Sequence, residues 1–338
     1  MRSSRRVLAQ KTRMLSSLRL LLATATMVGA ASVVAPAAIT AQEPVAVKKP
    51  IDFITPHITD SYELEIPWFD RETFAKEICL GRHEANGECG PLWDPIHIGG
   101  LEINLSPTKH VFFMLLAATL VAVILIGAAR VQARHQKTAG HTKGFAGGIE
   151  AMVLYLRNEV ILPNVGPHGD AFVPFGLTLF FFILMLNLLG LIPYGATATG
   201  NIAVTATLAI ITLVVVEVTG VLTQGVGYLN TIFYWNKDLP LYVRIPMFFV
   251  MSPVEVIGKL AKPFALAIRL FANMTAGHIV VLALIGLIFA FGASVASAAP
   301  FLMALGIMML ELFVALLQAY IFTLLSSVFI GLIREGGH

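Results

Sequence analysis

The sequence predicts an all-α integral membrane protein with five transmembrane helices, one amphipathic surface helix and an exported polar segment at the N-terminus. Of the 338 residues, 57% are apolar and only 13% are charged. The mean hydropathy of +0.80 is too high for a soluble domain of this length. The apolar residues form long continuous runs, so the membrane spans are helices and not the alternating strands of a barrel.

The first 41 residues of the chain are typical of a targeting segment. They hold six Lys/Arg and no acidic residue, and the basic stretch is followed by the apolar run "LLLATATMVGAASVV" and then by small residues. We expect a signal peptide that is cleaved between Ala37 and Ala41. The alternative is an uncleaved first membrane helix. In both cases the segment that follows lies outside the cytoplasm.

Residues 42–108 form a polar and acidic division that carries twelve of the twenty acidic residues. It is too poor in large apolar residues to build much of a core. It contains both cysteines, and in an exported segment Cys79 and Cys89 most simply form a local disulfide. His83 and His97 lie nearby, but their spacing matches no established metal site, so we expect no metal.

The membrane domain, residues 109–338, begins with the apolar run 110–129. A basic cluster follows this run, which indicates that the span ends in the cytoplasm: Arg130, Arg134, Lys137 and Lys143. Residues 147–166 are short, amphipathic and interrupted by Pro163. This pattern predicts a helix that lies on the inner membrane surface.

Four further spans complete the predicted topology. Residues 172–192 return to the exterior, and residues 202–223 run back inwards with Glu217 at membrane depth. From 247 to 335 two long helices form a hairpin with its outer turn at 291–300. The mature N-terminus is then outside the cell and the C-terminus in the cytoplasm.

Six ionisable or amide side chains lie at membrane depth in the second half of the chain: Glu217, Arg269, Asn273, His278, Glu311 and Gln318. An arginine at a helix centre in a bilayer costs roughly 2.5–3.5 kcal/mol, so a partner must offset it. Asn273 lies one turn from Arg269 on the same side, whereas His278 lies about half a circle round the helix and about 13 Å along its axis.

We infer from this spacing that Arg269 faces a partner outside the chain, while His278 and Glu311 meet inside the hairpin on its outer side. A histidine beside a carboxylate can pass protons near neutral pH. The alternative is a buried hydrogen bond that only joins two helices. The whole set of costly polar residues favours an ion path.

Several motifs in the right order resemble subunit a of the rotary F-type ATP synthase. They are "RLFANMTAGH", followed by "ELFVALLQAYIFTLL", and upstream "PVEVIGKLAKPFALAIRLFANM" (253–274), "NLLGLIP" (187–193) and "GNIAVTATLAI" (200–210). The similarity covers roughly residues 105–335. The long exported segment with two cysteines departs from the family, so no role for it is inherited.

The resemblance implies a stator of the membrane motor that packs, through a long tilted hairpin, against a rotating ring of c subunits. Arg269 would attract the carboxylate of each c subunit and would separate two offset half-channels for protons. Other implied partners are b-type peripheral stalk subunits and the catalytic head, in the inner membrane of a bacterium. The His–Glu pair favours protons over sodium.

The resemblance also implies individual roles. Asn273 and Gln318 match positions that support the arginine, and His278 and Glu311 match the coupled pair of the outer half-channel, whose two residue types are exchanged in some members. Glu217 would belong to the same aqueous path. A final group lies near the inner surface, either at the other half-channel or as solvated helix-end charges: Glu255, Lys259 and Lys262.

Other classes of protein are less consistent with the sequence. The chain has no G-x-x-x-x-G-K-[ST] run, so ATP chemistry would belong to other subunits and this chain is expected to need no cofactor and no nucleic acid. A self-contained secondary transporter would show inverted repeats, and none is visible. A membrane scaffold would depend on residues 42–100 and would leave Arg269 and Gln318 free to vary.

Overall fold

The computed structural model describes residues 60–67, 75–83, 89–98, 101–104, 106–135, 144–192, 195, 197–228, 240–291 and 295–334. The predicted targeting segment, residues 1–41, lies outside the described residues, as does the start of the exported segment. The predicted outer turn of the hairpin is described only in part.

Helices dominate the described part of the chain. Five of them are long and apolar enough to cross a membrane, which confirms the predicted all-α membrane architecture. The helices are α1 (Lys109–His135), α2 (Phe145–Tyr155), α3 (Leu162–Val165), α4 (Val173–Gly190), α5 (Ile202–Gln224), α6 (Leu241–Phe291) and α7 (Ala298–Arg334). Of these, α1, α4, α5, α6 and α7 are the candidate spans.

Two ends of the bundle can be distinguished by what they carry. The disulfide side is the end where α1 begins, next to the segment that holds Cys79 and Cys89. The basic side is the opposite end, where α7 finishes at Arg334. There the Arg334 guanidinium donates hydrogen bonds to the carbonyls of Val165 (2.7 Å) and Pro167 (2.5 Å). The sequence predicts that the disulfide side is the exterior and the basic side the cytoplasm.

The predicted surface helix is α2 continued by a π-helical turn, Leu156–Ile161, and by α3. Pro163 lies at the start of α3, where its missing N–H and its ring prevent the regular i→i−4 pattern, so the wider turn precedes it. The helix ends at Gly166, whose φ of 81° favours glycine. Its first half exposes Phe145, and its second half is buried beneath α7, where the Asn164 carbonyl lies against Gly331.

The core of the membrane domain is centred on α4. In the most apolar stretch of this span 61% of the residues are buried, against 11% in the corresponding stretch of α6. Because α4 is apolar on all sides, its sequence is compatible with either helices or lipid as neighbours, and the structure surrounds it with helices. Its buried side chains include three consecutive phenylalanines, Phe180, Phe181 and Phe182.

The long hairpin consists of α6 and α7. With 51 residues, α6 is about 77 Å long at 1.5 Å per residue, whereas the hydrocarbon core of a bilayer is about 30 Å thick. A helix of this length therefore crosses the membrane at a steep tilt or bends along its path. Pro246, Pro253 and Pro263 lie inside it, and each removes one backbone hydrogen bond at which the helix can bend.

The exported segment contains short antiparallel strand pairs, so the all-α description applies only to the membrane domain. A disulfide joins Cys79 and Cys89, with their Cα atoms 5.7 Å apart, so neither thiolate is available as a metal ligand. The pairs are β1–β2, β3–β4 and β5–β6, from β1 (Glu63–Pro67), β2 (Ala75–Cys79), β3 (Arg82–His83), β4 (Cys89–Gly90), β5 (Ile96–Ile98) and β6 (Leu101–Ile103).

This segment is attached to the first turn of α1. The Lys109 N–H donates to the Ser61 carbonyl at 2.9 Å, and His110 Nδ1 lies 2.9 Å from an Asp60 carboxylate oxygen. Burial alone would raise the pKa of Asp60, but the hydrogen bond and charge of His110 outweigh it and lower that pKa below its usual value. The contacts fix where the chain enters the membrane domain.

Candidate ion-translocation site

The site is built on α6. One narrow stripe of this helix is buried, and the residues on either side of the stripe form two flanks. The buried residues follow the three- and four-residue spacing of a helix face, and they are Leu266, Ala267, Leu270, Met274 and Val281. The side chains on either side of this stripe point in different directions. We call them the α7 flank, defined by Lys262, Arg269 and Asn273, and the turn flank, defined by Thr275 and His278.

The α7 flank faces α7, the last helix. Lys262 Nζ lies 5.3 Å from the centre of the Phe329 ring, and Asn273 Nδ2 donates to Gln318 Oε1 at 3.2 Å. Arg269 lies between these contacts and is exposed. Among the residues that the structure describes, no carboxylate lies within ion-pair distance of Arg269.

Gln318 supports this flank from inside the bundle. Its side chain is only 2% exposed, and its oxygen accepts the bond from Asn273. Within the described ranges its buried Nε2 has no hydrogen-bond partner. A buried donor left without a partner costs about 1–3 kcal/mol. The structure thus brings Asn273 and Gln318 together beside Arg269, as helical spacing suggested for Asn273 alone.

The second predicted pair lies on the disulfide side of Arg269. Glu311 is 9% exposed and packs over Gly277, the residue before His278. A Cβ added at Gly277 would lie 2.7 Å from the Glu311 carboxyl carbon, so glycine is what allows the approach. His278 is half-buried on the turn flank. Arg269 lies on the opposite flank, as the spacing predicts.

Polar residues of other helices adjoin this region, and sequence reasoning did not assign them a role. Asn187 in α4 is fully buried, donates to the Ala315 carbonyl (3.3 Å) and accepts a bond from Thr199 (3.0 Å). The Thr275 hydroxyl on the turn flank lies 3.5 Å from the Gly200 carbonyl. An amide inside the apolar run 172–192 was a sequence signal that could have identified Asn187.

Glu217 has a different set of neighbours from the one expected. The Tyr228 hydroxyl donates to a Glu217 carboxylate oxygen at 2.5 Å, and Lys259 Nζ lies 3.8 Å from the other oxygen. Lys259 and His278 are 19 residues apart in one helix, which is about 28 Å. Glu217 therefore lies towards the basic side, and its position does not support the expectation that it shares a path with His278 and Glu311.

The chain is similar to known proteins over most of its length. The family model described as ATP synthase A chain matches residues 111–331. The ATP synthase subunit a of Anaeromyxobacter dehalogenans is 40% identical over 288 residues, which cover 81% of this chain and 68% of that one.

Two further relatives carry the same name. The ATP synthase subunit a of Chloroherpeton thalassium is 46% identical over 238 residues, 70% of this chain and 68% of its own length. That of Myxococcus xanthus is 45% identical over 239 residues, 70% of this chain and 75% of its own. The chain, a multi-pass membrane protein by its apolar helices, therefore belongs to the ATP synthase subunit a family.

Proposed function

We propose that this chain is the proton-translocating stator of a bacterial ATP synthase and that Arg269 is the charge that exchanges with carboxylates on a rotating c-ring. The observation that supports this most strongly is the position of Arg269. It is an exposed guanidinium on an apolar hairpin, and no carboxylate of the described chain pairs with it. Since a guanidinium stays charged, its partner is an acid supplied by another protein.

The neighbours of Arg269 suit a transient pairing. Asn273 and Gln318 form a neutral amide pair beside it, so the side chain is flanked without being neutralised. A permanent buried ion pair would be costly to break and would stop a rotor. An arginine that meets each passing carboxylate only while that carboxylate is charged releases it once it is protonated.

Two offset half-channels complete the proposal. The half-channel on the disulfide side ends at His278 and Glu311, which exchange protons with the c-ring acids, and this pair favours protons over sodium. The half-channel on the basic side opens near Glu255 and Lys262. Between the two lies the fully buried Leu270, so a proton crosses only by riding on the ring.

The remaining assignments follow from membership of the family and the charge pattern. The disulfide side faces the exterior and the basic side the cytoplasm, in agreement with the positive-inside rule. The c-ring lies against the hairpin of α6 and α7, b-type stalk subunits hold the chain in place, and ATP chemistry occurs in a catalytic head formed by other subunits. The chain itself is an ion path and carries no catalytic site for ATP.

The test is ATP-driven acidification of inverted membrane vesicles with Arg269→Ala, with assembly measured by co-purification of the c-ring. We expect normal assembly and loss of both pumping and ATP synthesis. The matched control is Arg82→Ala, which removes an exposed arginine whose ion pair with Asp94 spans 3.4 Å and contributes little. Pumping at the wild-type rate by the Arg269 variant would overturn the proposal.

A further inference from the structure

Three side chains form a charged cluster on the basic side, which we call the Lys259 clasp: Glu217, Tyr228 and Lys259. The Lys259 ammonium donates to the Tyr228 hydroxyl at 2.9 Å and lies 4.4 Å from the centre of the same ring. The hydroxyl in turn donates to Glu217 at 2.5 Å. One hydroxyl thus accepts from the cation and donates to the anion, and each charge has a hydrogen-bonded neighbour.

The chain path after α5 is built to hold Tyr228 in this place. Gly225, with φ of 58°, ends α5 and begins a short 3-10 turn that returns the chain over Gly220. An added Cβ at Gly220 would overlap the Tyr228 ring. The residue is 2% exposed, and burial, followed by the bond to Glu217, raises the pKa of Tyr228. The hydroxyl therefore remains a donor.

The clasp holds Lys259 away from the ion pair that its position in α6 would otherwise favour. Glu255 lies four residues before Lys259 in α6, and a glutamate four residues N-terminal to a lysine is the favoured arrangement for a helical ion pair. In the described part of the chain, no ion pair joins these residues. Glu255 is exposed, and helical geometry puts it on the α7 flank with Lys262 and Arg269.

We propose that Glu217 and Tyr228 are positioning residues that hold Lys259 against α5 and thereby leave Glu255 as an unneutralised carboxylate on the flank that carries Arg269. The inference rests on the proposed function, since it concerns the basic-side half-channel. Lys262, the other cation near Glu255, lies over the Phe329 ring. Loss of the clasp lets the Lys259 ammonium pair with Glu255, which favours the charged form of that carboxylate and slows proton exchange there.

The experiment compares two independent ways of opening the clasp in the complete enzyme. Tyr228→Phe removes the bridging hydroxyl, and Glu217→Gln removes the anion. We measure the initial rate of ATP-driven acidification per assembled complex, and we expect each variant to pump roughly 1.5-fold to twofold more slowly, the scale of an exposed helical ion pair. Tyr242→Phe is the matched control, because Tyr242 is 79% exposed in the same helix as Lys259.

Second-site rescue separates positioning from mere structural support. Lys259→Gln alone is expected to pump normally, and adding it to either clasp variant restores the wild-type rate, because the cation that would occupy Glu255 is gone. If the cluster only supported the fold, each double variant would pump more slowly than its single parent, since it loses more contacts. If Tyr228→Phe does not assemble, the comparison of Glu217→Gln with and without Lys259→Gln decides the question.

Three results would overturn the proposal: normal pumping by both clasp variants, slow pumping by Lys259→Gln alone, or failure of Lys259→Gln to restore pumping in an assembled double variant. These outcomes are independent of the test on Arg269. If Arg269→Ala pumps normally, the proposed function fails whatever the clasp variants do. If Arg269→Ala is inactive and no rescue occurs, only the clasp is rejected.

Discussion

Replacing Gly277 by alanine tests whether the position of Glu311 matters to proton transfer on the disulfide side. The added Cβ would overlap Glu311 Oε1 and would lie 2.7 Å from the carboxyl carbon, against 3.4 Å for the closest ordinary contact, so the carbon must retreat by about 0.7 Å and the oxygen by more. The atoms in the way belong to the far end of a flexible side chain. The backbones of α6 and α7 can therefore stay where they are.

Two energetic effects of this substitution nearly cancel. Overpacking costs about 1 kcal/mol at the lower end of its range, which suits a side chain that can rotate away, and alanine in a helix interior is about 1 kcal/mol more favourable than glycine. Stability and assembly should therefore change little. Misplacing a reacting group by 1 Å can lower a rate by two orders of magnitude, so we expect proton pumping to fall about tenfold.

The assay is ATP-driven acidification in inverted vesicles, normalised to the c-ring that co-purifies. Gly127→Ala is the control, because an added Cβ there meets nothing within 4 Å and the substitution has the same effect on helix propensity. Wild-type pumping by Gly277→Ala would refute the role given to the Glu311 position. Loss of the c-ring from Gly277→Ala would refute the argument that the displacement is local.

Three further predictions concern stability. Replacing Cys79 and Cys89 by serine should destabilise the exported segment by about 2.7 kcal/mol, from the entropy of a ten-residue loop; proteolysis from the disulfide side should increase while pumping is unchanged. The lowered pKa of Asp60 predicts that its attachment to His110 is kept above the ordinary pKa of 3.8 and is lost as the pH falls through the lower folded-state value. Pepsin cleavage of the segment should rise there, and Asp60→Asn should lack this step. Arg334→Ala should cost about 2 kcal/mol, mainly through the charge-assisted bond to the part-buried Val165 carbonyl, since the bond to Pro167 is exposed. Arg334→Lys should restore only part of the thermal stability in detergent.

The parts of the site that lie within one helix could be predicted from the sequence. Helical spacing alone puts Asn273 beside Arg269 and His278 on the other flank. The predicted outer turn at 291–300 gives only the approximate register between α6 and α7, because a turn of this length does not fix the offset to the residue. The structure supplies the offset through two contacts, Lys262 with Phe329 and Asn273 with Gln318, which are eleven residues apart in each helix.

Tyr228 illustrates a second kind of residue that sequence patterns miss. It follows the C-terminal end of α5 and belongs to no helix that continues the apolar period. Its contacts with Glu217 and Lys259 depend on the reversal of the chain at Gly225, a tertiary feature. The sequence shows that Glu217 is costly at membrane depth, and the inward direction predicted for residues 202–223 puts it near the basic side. Its partners could only be found from the packing of α5 against α6.

The arrangement of α6 also explains why the proposed half-channels would not join into a leak. His278 and Arg269 lie on opposite flanks, and the stripe between the flanks is closed by Leu266 and Leu270, at most 1% exposed. Water cannot bridge such an apolar contact, because it needs several polar partners. In the proposed mechanism the two flanks therefore communicate only through the lipid-facing surface, where a rotating carboxylate passes Arg269. In this proposal each polar flank of α6 serves one half-channel, and the narrow buried stripe keeps the two flanks apart.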